Sequence, residues 1–155
     1  MMKAAILTIS DTRTLTTDKS GQFIESILKQ NDIEILQRKV VIDDTLQIQL
    51  GFLNLENLNP DIIITNGGTG IAQRDVSIKS LKPLMKKEIT GFGELFRQIS
   101  YNEIGTHSMA SNAFAGINIK NQLCFSLPGS TNACKTALNQ IILPELNHLI
   151  KEIRK

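Results

Sequence analysis

The chain lacks the cysteine and histidine groupings that build a zinc site. Its 155 residues hold two cysteines, Cys124 and Cys134, and two histidines, with no spacing that resembles a zinc-ligand pattern. Cys124 sits in an apolar, strand-like run and Cys134 on a helix-like one, so both are expected to be buried free thiols in a reducing cytoplasm. No apolar run approaches the length of a membrane span. The run from Met1 to Ser10 is short and stops at Ser10-Asp11, which suits a first strand better than a signal peptide. A large excess of charge of one sign is missing as well. Lys plus Arg number 17 and Asp plus Glu 15, a net charge of +2, and both signs are scattered. A general nucleic-acid binder would concentrate its basic residues on one face. There is no internal repeat, low-complexity linker or domain boundary, and a single domain over 1–155 is expected. Neither G-x-x-x-x-G-K-[ST] nor G-x-G-x-x-G occurs.

What is present is an alternation of strand and helix patterns. Ala4 to Ile9 reads as a buried strand. Ser20 can cap a helix carrying Phe23, Ile24, Ile27 and Leu28 on one stripe and ending near Asn31. Ile33 to Ile42 reads as a partly alternating strand near a sheet edge. The run Leu46, Ile48, Leu50, Phe52 alternates like a strand. Its rows Leu46-Leu50-Leu53 and Ile48-Phe52-Leu55 also fit a helix, which the crossover between parallel strands requires, although Gly51 weakens the pattern. A third strand covers Ile62 to Thr65. Then come a short helix from Ser77 to Met85 interrupted by Pro83, and a helix from Glu94 to Tyr101 with Leu95, Phe96 and Ile99 inward. Gly91 and Gly93 suggest a bend that presents Phe92. A short helix of small residues is expected from Ser108 to Ala115, then a strand from Leu123 to Leu127. The last helix starts after Pro128-Gly129-Ser130 and is kinked or restarted at Pro144. The sum is an α/β fold, a three-layer α/β/α sandwich with a mostly parallel sheet.

Polar residues gather at the exits of these strands, where open α/β sheets bind ligands. They are Ser10-Asp11-Thr12, Asp43-Asp44, Asn66 to Asp75, and Pro128-Gly129-Ser130. The richest is Thr65 to Asp75, TNGGTGIAQRD. Gly67, Gly68 and Gly70 can take positive φ and let a phosphate approach backbone N–H groups without a Cβ in the way. Thr69 adds a hydroxyl, and Arg74 and Asp75 put a cation and a carboxylate at the loop exit. The same stretch also fits a tight turn in which Asp75 or Ser77 merely caps the next helix. Ser130 at a helix start suggests a second anion position. Together these residues imply a cleft with two phosphate cradles and two acidic positions.

TNGGTG followed by RDVS, then GFGELFRQISYNEIG, then LPGSTNAC, resembles the MoaB/Mog family of molybdenum-cofactor biosynthesis. The IGT and LPGSTNAC segments are closer to the MoaB branch. The resemblance runs from Ser10-Asp11 and Asp18-Lys19-Ser20-Gly21 to Leu143-Pro144-Glu145-Leu146. It implies one molybdopterin-binding domain in a cytoplasmic homotrimer or hexamer. It also implies transfer of adenylyl from Mg-ATP to the terminal phosphate of molybdopterin, and a partner protein that then inserts molybdate. By the same resemblance, ligand-binding residues fall on Ser10, Asp11, Gly67, Gly68, Thr69, Gly70, Pro128, Gly129 and Ser130. The essential aspartates fall on Asp75 and on Asp43, or on Asp44 with a shift of one residue. One departure is visible: Ser111-Asn112 stands where the family usually reads Ser-Arg.

The residues support such chemistry in their own right. A phosphate monoester is already an anion at neutral pH, so attack on a phosphorus needs alignment and charge neutralisation more than a strong base. Asp43 and Asp75 suit Mg²⁺ held through water. His107, Lys86-Lys87, Arg97 and Tyr101 are expected to be solvated or to serve packing. Two alternatives stay open: a homologue that binds molybdopterin without catalysis, and an oligomeric interaction module of the same fold.

Overall fold

The computed structural model describes residues 1–155. One six-stranded sheet organises the chain in the order β2-β1-β3-β6-β5-β4. The strands are β1 (Lys3–Ile9), β2 (Glu34–Val41), β3 (Ile62–Asn66), β4 (Met85–Glu88), β5 (Phe114–Asn118) and β6 (Leu123–Leu127). β2, β1, β3 and β6 run parallel, and β5 and β4 are added antiparallel. The helices are α1 (Lys19–Gln30), α2 (Thr45–Glu56), α3 (Ser77–Leu81), α4 (Thr90–Ile104), α5 (Thr131–Ala137) and α6 (Leu143–Ile153).

Strand alternation divides the core in two. Ala4 and Ile6 of β1, Ile62 and Ile64 of β3, and Leu123 and Phe125 of β6 face α1, α4, α5 and α6. Ala5, Leu7 and Ile9, Ile63, and Cys124 face α2 and α3. Strands apolar on both sides need helices on both sides, and the sandwich expected from the sequence follows. α2 has both rows read in its sequence. Ile48, Phe52 and Leu55 are buried, whereas Leu46, Leu50 and Leu53 are exposed on its outer face. Gly51 lies where the helix crosses the sheet, and a Cβ there would stand 3.0 Å from Val41 Cγ1 and 3.2 Å from Leu7 Cδ1. The glycine that weakened the helical pattern is what lets α2 pack this closely.

Several local expectations are corrected. α1 is capped by Asp18, whose side chain accepts from Gly21 N, while Ser20 lies inside the helix. The segment expected as a helix to Met85 breaks after Leu81, passes through a 3₁₀ turn around Pro83 and becomes β4. α4 starts at Thr90, so Gly91 and Gly93 are helical and Phe92 is buried, stacked on Phe96, rather than presented. Leu95 points to solvent and Ile99 is only half-buried. In place of a helix from Ser108 to Ala115 there is a 3₁₀ turn over Gly105–Ala110, then β5. Pro144 opens α6 after a wider π turn over Leu138–Ile142.

Candidate active site

The chain leaves β1 toward β2 on one side and returns through α2 to β3 on the other. The sheet's strand order therefore reverses between β1 and β3, and a crevice opens at their carboxyl ends. The exits of β2, β1, β3 and β6 all meet there. The glycine loop fills the centre. Gly67 has φ 103° and Gly68 φ 69°. A Cβ on Gly67 would sit 2.1 Å from Ile9 O, so the loop leans directly on the end of β1. Gly67 N donates to Leu127 O (2.9 Å), which ties it to the end of β6. Ser77 is buried and closes the loop from behind: its Oγ donates to Gly67 O (2.7 Å) and its N to Gly68 O (3.1 Å).

Two carboxylates flank this loop. Asp43 Oδ1 lies 3.2 Å from the position a Cβ of Gly68 would take, and Asp75 Oδ2 lies 2.8 Å from that of Gly70. Asp75 does not cap α3. Its Oδ2 accepts from Ala72 N (2.9 Å), and the cap position is Val76, which makes no side-chain cap bond. Ser77 is no cap either, since its hydroxyl is committed to Gly67. Asp44 turns away, N-capping α2 by accepting from Gln47 N (3.0 Å). Of the two acidic residues at the β2 exit, Asp43 is the one against the loop.

Asp11 holds Asp43 in place. Its Oδ1 accepts from Asp43 N (3.0 Å) and from Arg74 Nη2 (2.9 Å), while its Oδ2 accepts from Arg74 Nε (2.5 Å). The Arg74 guanidinium, with the Asp43 N–H, holds the Asp11 carboxyl below the usual carboxylate range, and the same pairing pushes Arg74 up. Asp43 goes the other way. Partial burial, then the neighbouring charges of Asp11 and Asp75, push its carboxyl above the usual range. The acidic wall is thus strained by like charge at Asp43, an arrangement that a cation relieves.

The opposite wall comes from the exits of β1 and β6. Gly129 is packed on the glycine loop: a Cβ there would stand 3.3 Å from Gly67 Cα. Ser130 caps α5, its Oγ accepting from Ala133 N (3.1 Å). Ser10 Oγ accepts from the backbone N–H groups of Thr12 and Arg13, both at 3.2 Å, and so shapes the β1 exit. Thr69 is buried, and its carbonyl accepts from Asn112 N (2.9 Å). Asn112 and Asp75 line a groove of about 560 Å³ together with Gly70, Lys79 and Lys82.

With this geometry in view, the comparison with known proteins is specific. Residues 5–148 match the family model described as "Probable molybdopterin binding domain". The chain belongs to this family. A molybdenum cofactor biosynthesis protein B of Staphylococcus aureus (strain Mu50) is 50% identical over 157 residues, spanning 99% of this chain and 93% of the relative. A crystal structure of a molybdenum cofactor biosynthesis protein B superposes with a TM-score of 0.93 at 45% identity, covering 99% of this chain and 96% of that one. That of a tungsten cofactor synthesizing protein MoaB from Pyrococcus furiosus gives 0.90 at 38% identity, covering 99% and 98%. The fold and the MoaB branch read from the motifs are those of this molybdopterin-binding family.

Two features of this family member escaped the sequence reading. One is Arg13, whose Nη1 donates to Ser20 Oγ (2.7 Å) and Gly129 O (3.1 Å). The other is the fully buried Asp18, which accepts from Thr8 Oγ1 (2.6 Å), Gly21 N (3.0 Å) and Arg38 Nη1 (3.0 Å). Asn66 joins this network, accepting from Ser20 Oγ (2.7 Å) and donating to Thr8 Oγ1 (2.9 Å). A cation three residues beyond Ser10 was the available signal for Arg13. Of the partners of Asp18, Gly21 lies at the ordinary N-cap spacing, while Thr8 and Arg38 come from β1 and β2 and no spacing in the sequence announces them.

Proposed function

We propose that the protein is a molybdopterin adenylyltransferase. The observation that carries this reading is the pair Asp43 and Asp75 set against Gly68 and Gly70, with the Asp43 carboxyl pushed up by partial burial first and by its acidic neighbours second. In the reaction a phosphate oxygen of molybdopterin bonds to the α-phosphorus of ATP. The α–β anhydride bond breaks, its electron pair leaves on pyrophosphate, and adenylated molybdopterin remains.

The residues fit a magnesium ion. No group of three or more His, Cys, Asp and Glu side chains is placed to enclose a metal. Two carboxylates beside a phosphate cradle suit a hard cation that keeps water and shares phosphate oxygens. Bound with ATP, the ion would neutralise phosphate charge at the reacting phosphorus. The chain's own work is positioning. The open backbone at Gly67 and Gly68 admits the phosphates, Asp11 fixes the Asp43 loop, and Ser77 keeps the glycine loop from moving. The groove beside Asp75 offers Ile78 as an apolar wall and Lys79 as a cation for an anionic ligand, while Lys82 is paired with Glu88 (3.2 Å).

The test is turnover of molybdopterin with Mg-ATP, following adenylated product and pyrophosphate. Product formed only with magnesium is expected. Tight pterin binding with no product would instead establish the non-catalytic binding role.

Assembly belongs to the same proposal. Phe92 and Phe96 lie in the protein's own core and leave no aromatic surface there for a subunit contact. The outer row of α2, Leu46, Leu50 and Leu53, with Ile42 and Leu58 beside it, is the apolar surface that supports a homotrimer or hexamer.

A further inference from the structure

We propose that Arg13 is the residue that receives the terminal phosphate monoester of the pterin, at the meeting of the Gly67 and Gly129 loops. This rests on the proposed function and names a part of that site. Three observations carry it. First, the guanidinium is held in place but not used up. Nη1 makes both of its hydrogen bonds, to Ser20 Oγ and Gly129 O, while Nε and Nη2 meet no acceptor in the protein. An arginine fork with open donors, fixed at one nitrogen, is pre-organised for a phosphate oxygen pair.

Second, its charge is available. Asp18 Oδ1 is 4.0 Å from Arg13 Nη1, but Asp18 is neutralised at closer range by Arg38 at 3.0 Å. Arg74, the cation that the sequence places at the glycine-loop exit, is by contrast taken up by Asp11 and by the carbonyl of Asp43 (3.2 Å).

Third, its location suits a phosphate monoester. A Cβ on Gly129 would stand 3.9 Å from Arg13 Nη1 and 3.3 Å from Gly67 Cα, so the guanidinium borders the place where the two loops touch. The crevice is then polarised. Asp43 and Asp75 form an acidic wall on the β2 and α3 side, and Arg13 stands as a cation on the β1 and β6 side. A magnesium-bound nucleotide is drawn to the first wall and a metal-free phosphate monoester to the second.

The test is a pair of variants, Arg13→Gln and Arg13→Lys, titrated by pterin fluorescence with molybdopterin and with phosphatase-treated molybdopterin, alongside binding of Mg-ATP. Arg13→Gln is expected to weaken molybdopterin binding on the order of 10- to 100-fold, the effect of losing a charge-assisted fork. Arg13→Lys should fall between, keeping the charge and losing the fork. The dephosphorylated pterin should bind wild type and both variants alike, and Mg-ATP affinity should hold. Equal losses for both pterin forms, as a merely structural role would give, overturn the proposal. So do a selective loss of Mg-ATP binding and a wild type indifferent to the pterin's phosphate. Should wild type bind molybdopterin but make no adenylated product, the activity falls while the phosphate difference still decides for or against Arg13.

Discussion

Asp11 and Arg74, 63 positions apart, face each other in a two-pronged ion pair across the mouth of the crevice, and the same Asp11 oxygen that meets Arg74 also accepts the N–H of Asp43. One exposed pair thereby fixes the approach of the β2 exit to the glycine loop. Arg74→Ala is expected to melt close to wild type, because an exposed pair contributes little to stability. It should nonetheless lower adenylyl transfer by freeing the Asp43 loop. Activity assayed beside thermal melting checks this. Full activity would show that Asp43 needs no such support.

Asp75→Asn should fold normally. Its side-chain oxygen can still accept from Ala72 N, and the helix that follows does not depend on it as a cap. Molybdopterin binding should persist while adenylyl transfer falls on the order of a hundredfold or more, the size of one lost electrostatic contact in a preorganised site. An unimpaired Asp75→Asn would remove this carboxylate from the chemistry.

Asp43→Asn should lose adenylyl transfer as Asp75→Asn does, but with a stability effect of its own sign. Folding raises the Asp43 pKa, so the folded state holds its proton to higher pH than the unfolded chain does. Ionised Asp43 is therefore a cost, absent below the ordinary carboxylate pKa and fully present above the raised folded value. At neutral pH, Asp43→Asn should melt at or above the wild-type temperature, and the advantage should vanish in acid. Magnesium with ATP should raise the melting temperature of wild type more than that of the variant. Melting curves at acid and neutral pH decide the sign. Asp11, with its pKa lowered, contributes in the other direction: its stabilisation is present above the unfolded value and is lost as pH falls through the folded one.

Gly68→Val should damage both binding and stability. Gly68 has φ 69°, which a β-branched residue adopts only with strain, and the new Cβ would lie 2.3 Å from Ser77 Oγ. A destabilisation of about 1–3 kcal/mol is expected from the backbone conformation alone. Denaturant unfolding and ATP affinity check it, and unchanged affinity for both ligands would place the phosphates elsewhere.

Leu46 is 68% and Leu50 51% exposed, on a helix with no charged side chain before Glu56. Wild type is expected to be oligomeric by light scattering at micromolar concentration. Leu46→Glu with Leu50→Glu should shift it toward smaller species without loss of secondary structure. A wild-type monomer would contradict the proposed assembly.

The parallel half of the fold, and the crevice at its end, were legible in the sequence because buried strands read as apolar runs and their exits as glycine and acid clusters. The antiparallel half was not. β4 is Met85-Lys86-Lys87-Glu88, an edge strand whose exposed charges mask any alternation. It pairs so closely with β5 that a Cβ on Gly116 would meet Lys87 O at 2.8 Å. The segment Ser108 to Ala115, read as a helix, runs into β5, where Gly116 is small because β4 crosses it. That is a tertiary reason with no local signature. At the site, Asp75 stood out as an acid at the exit of the glycine loop and Asp43-Asp44 as acids at a strand exit, whereas the choice of Asp43 over Asp44 follows from its bond to Asp11, 32 positions away, which only the folded chain brings near.

The buried carboxylate of Asp18 has a consequence for how this protein can change over time. It is shared by Thr8 at the end of β1, Gly21 in α1 and Arg38 in β2, and through Ser20 and Asn66 it reaches the start of the glycine loop. Replacing Asp18 would take the acceptor from the Thr8 hydroxyl and the Gly21 N–H together, whereas Arg38 would keep Glu25 (3.0 Å) and the carbonyl of Leu15 (3.1 Å). Drift at these positions is therefore coupled. A change at Asp18 reaches β1, α1 and β2 at once, so the walls of the crevice are inherited as one unit.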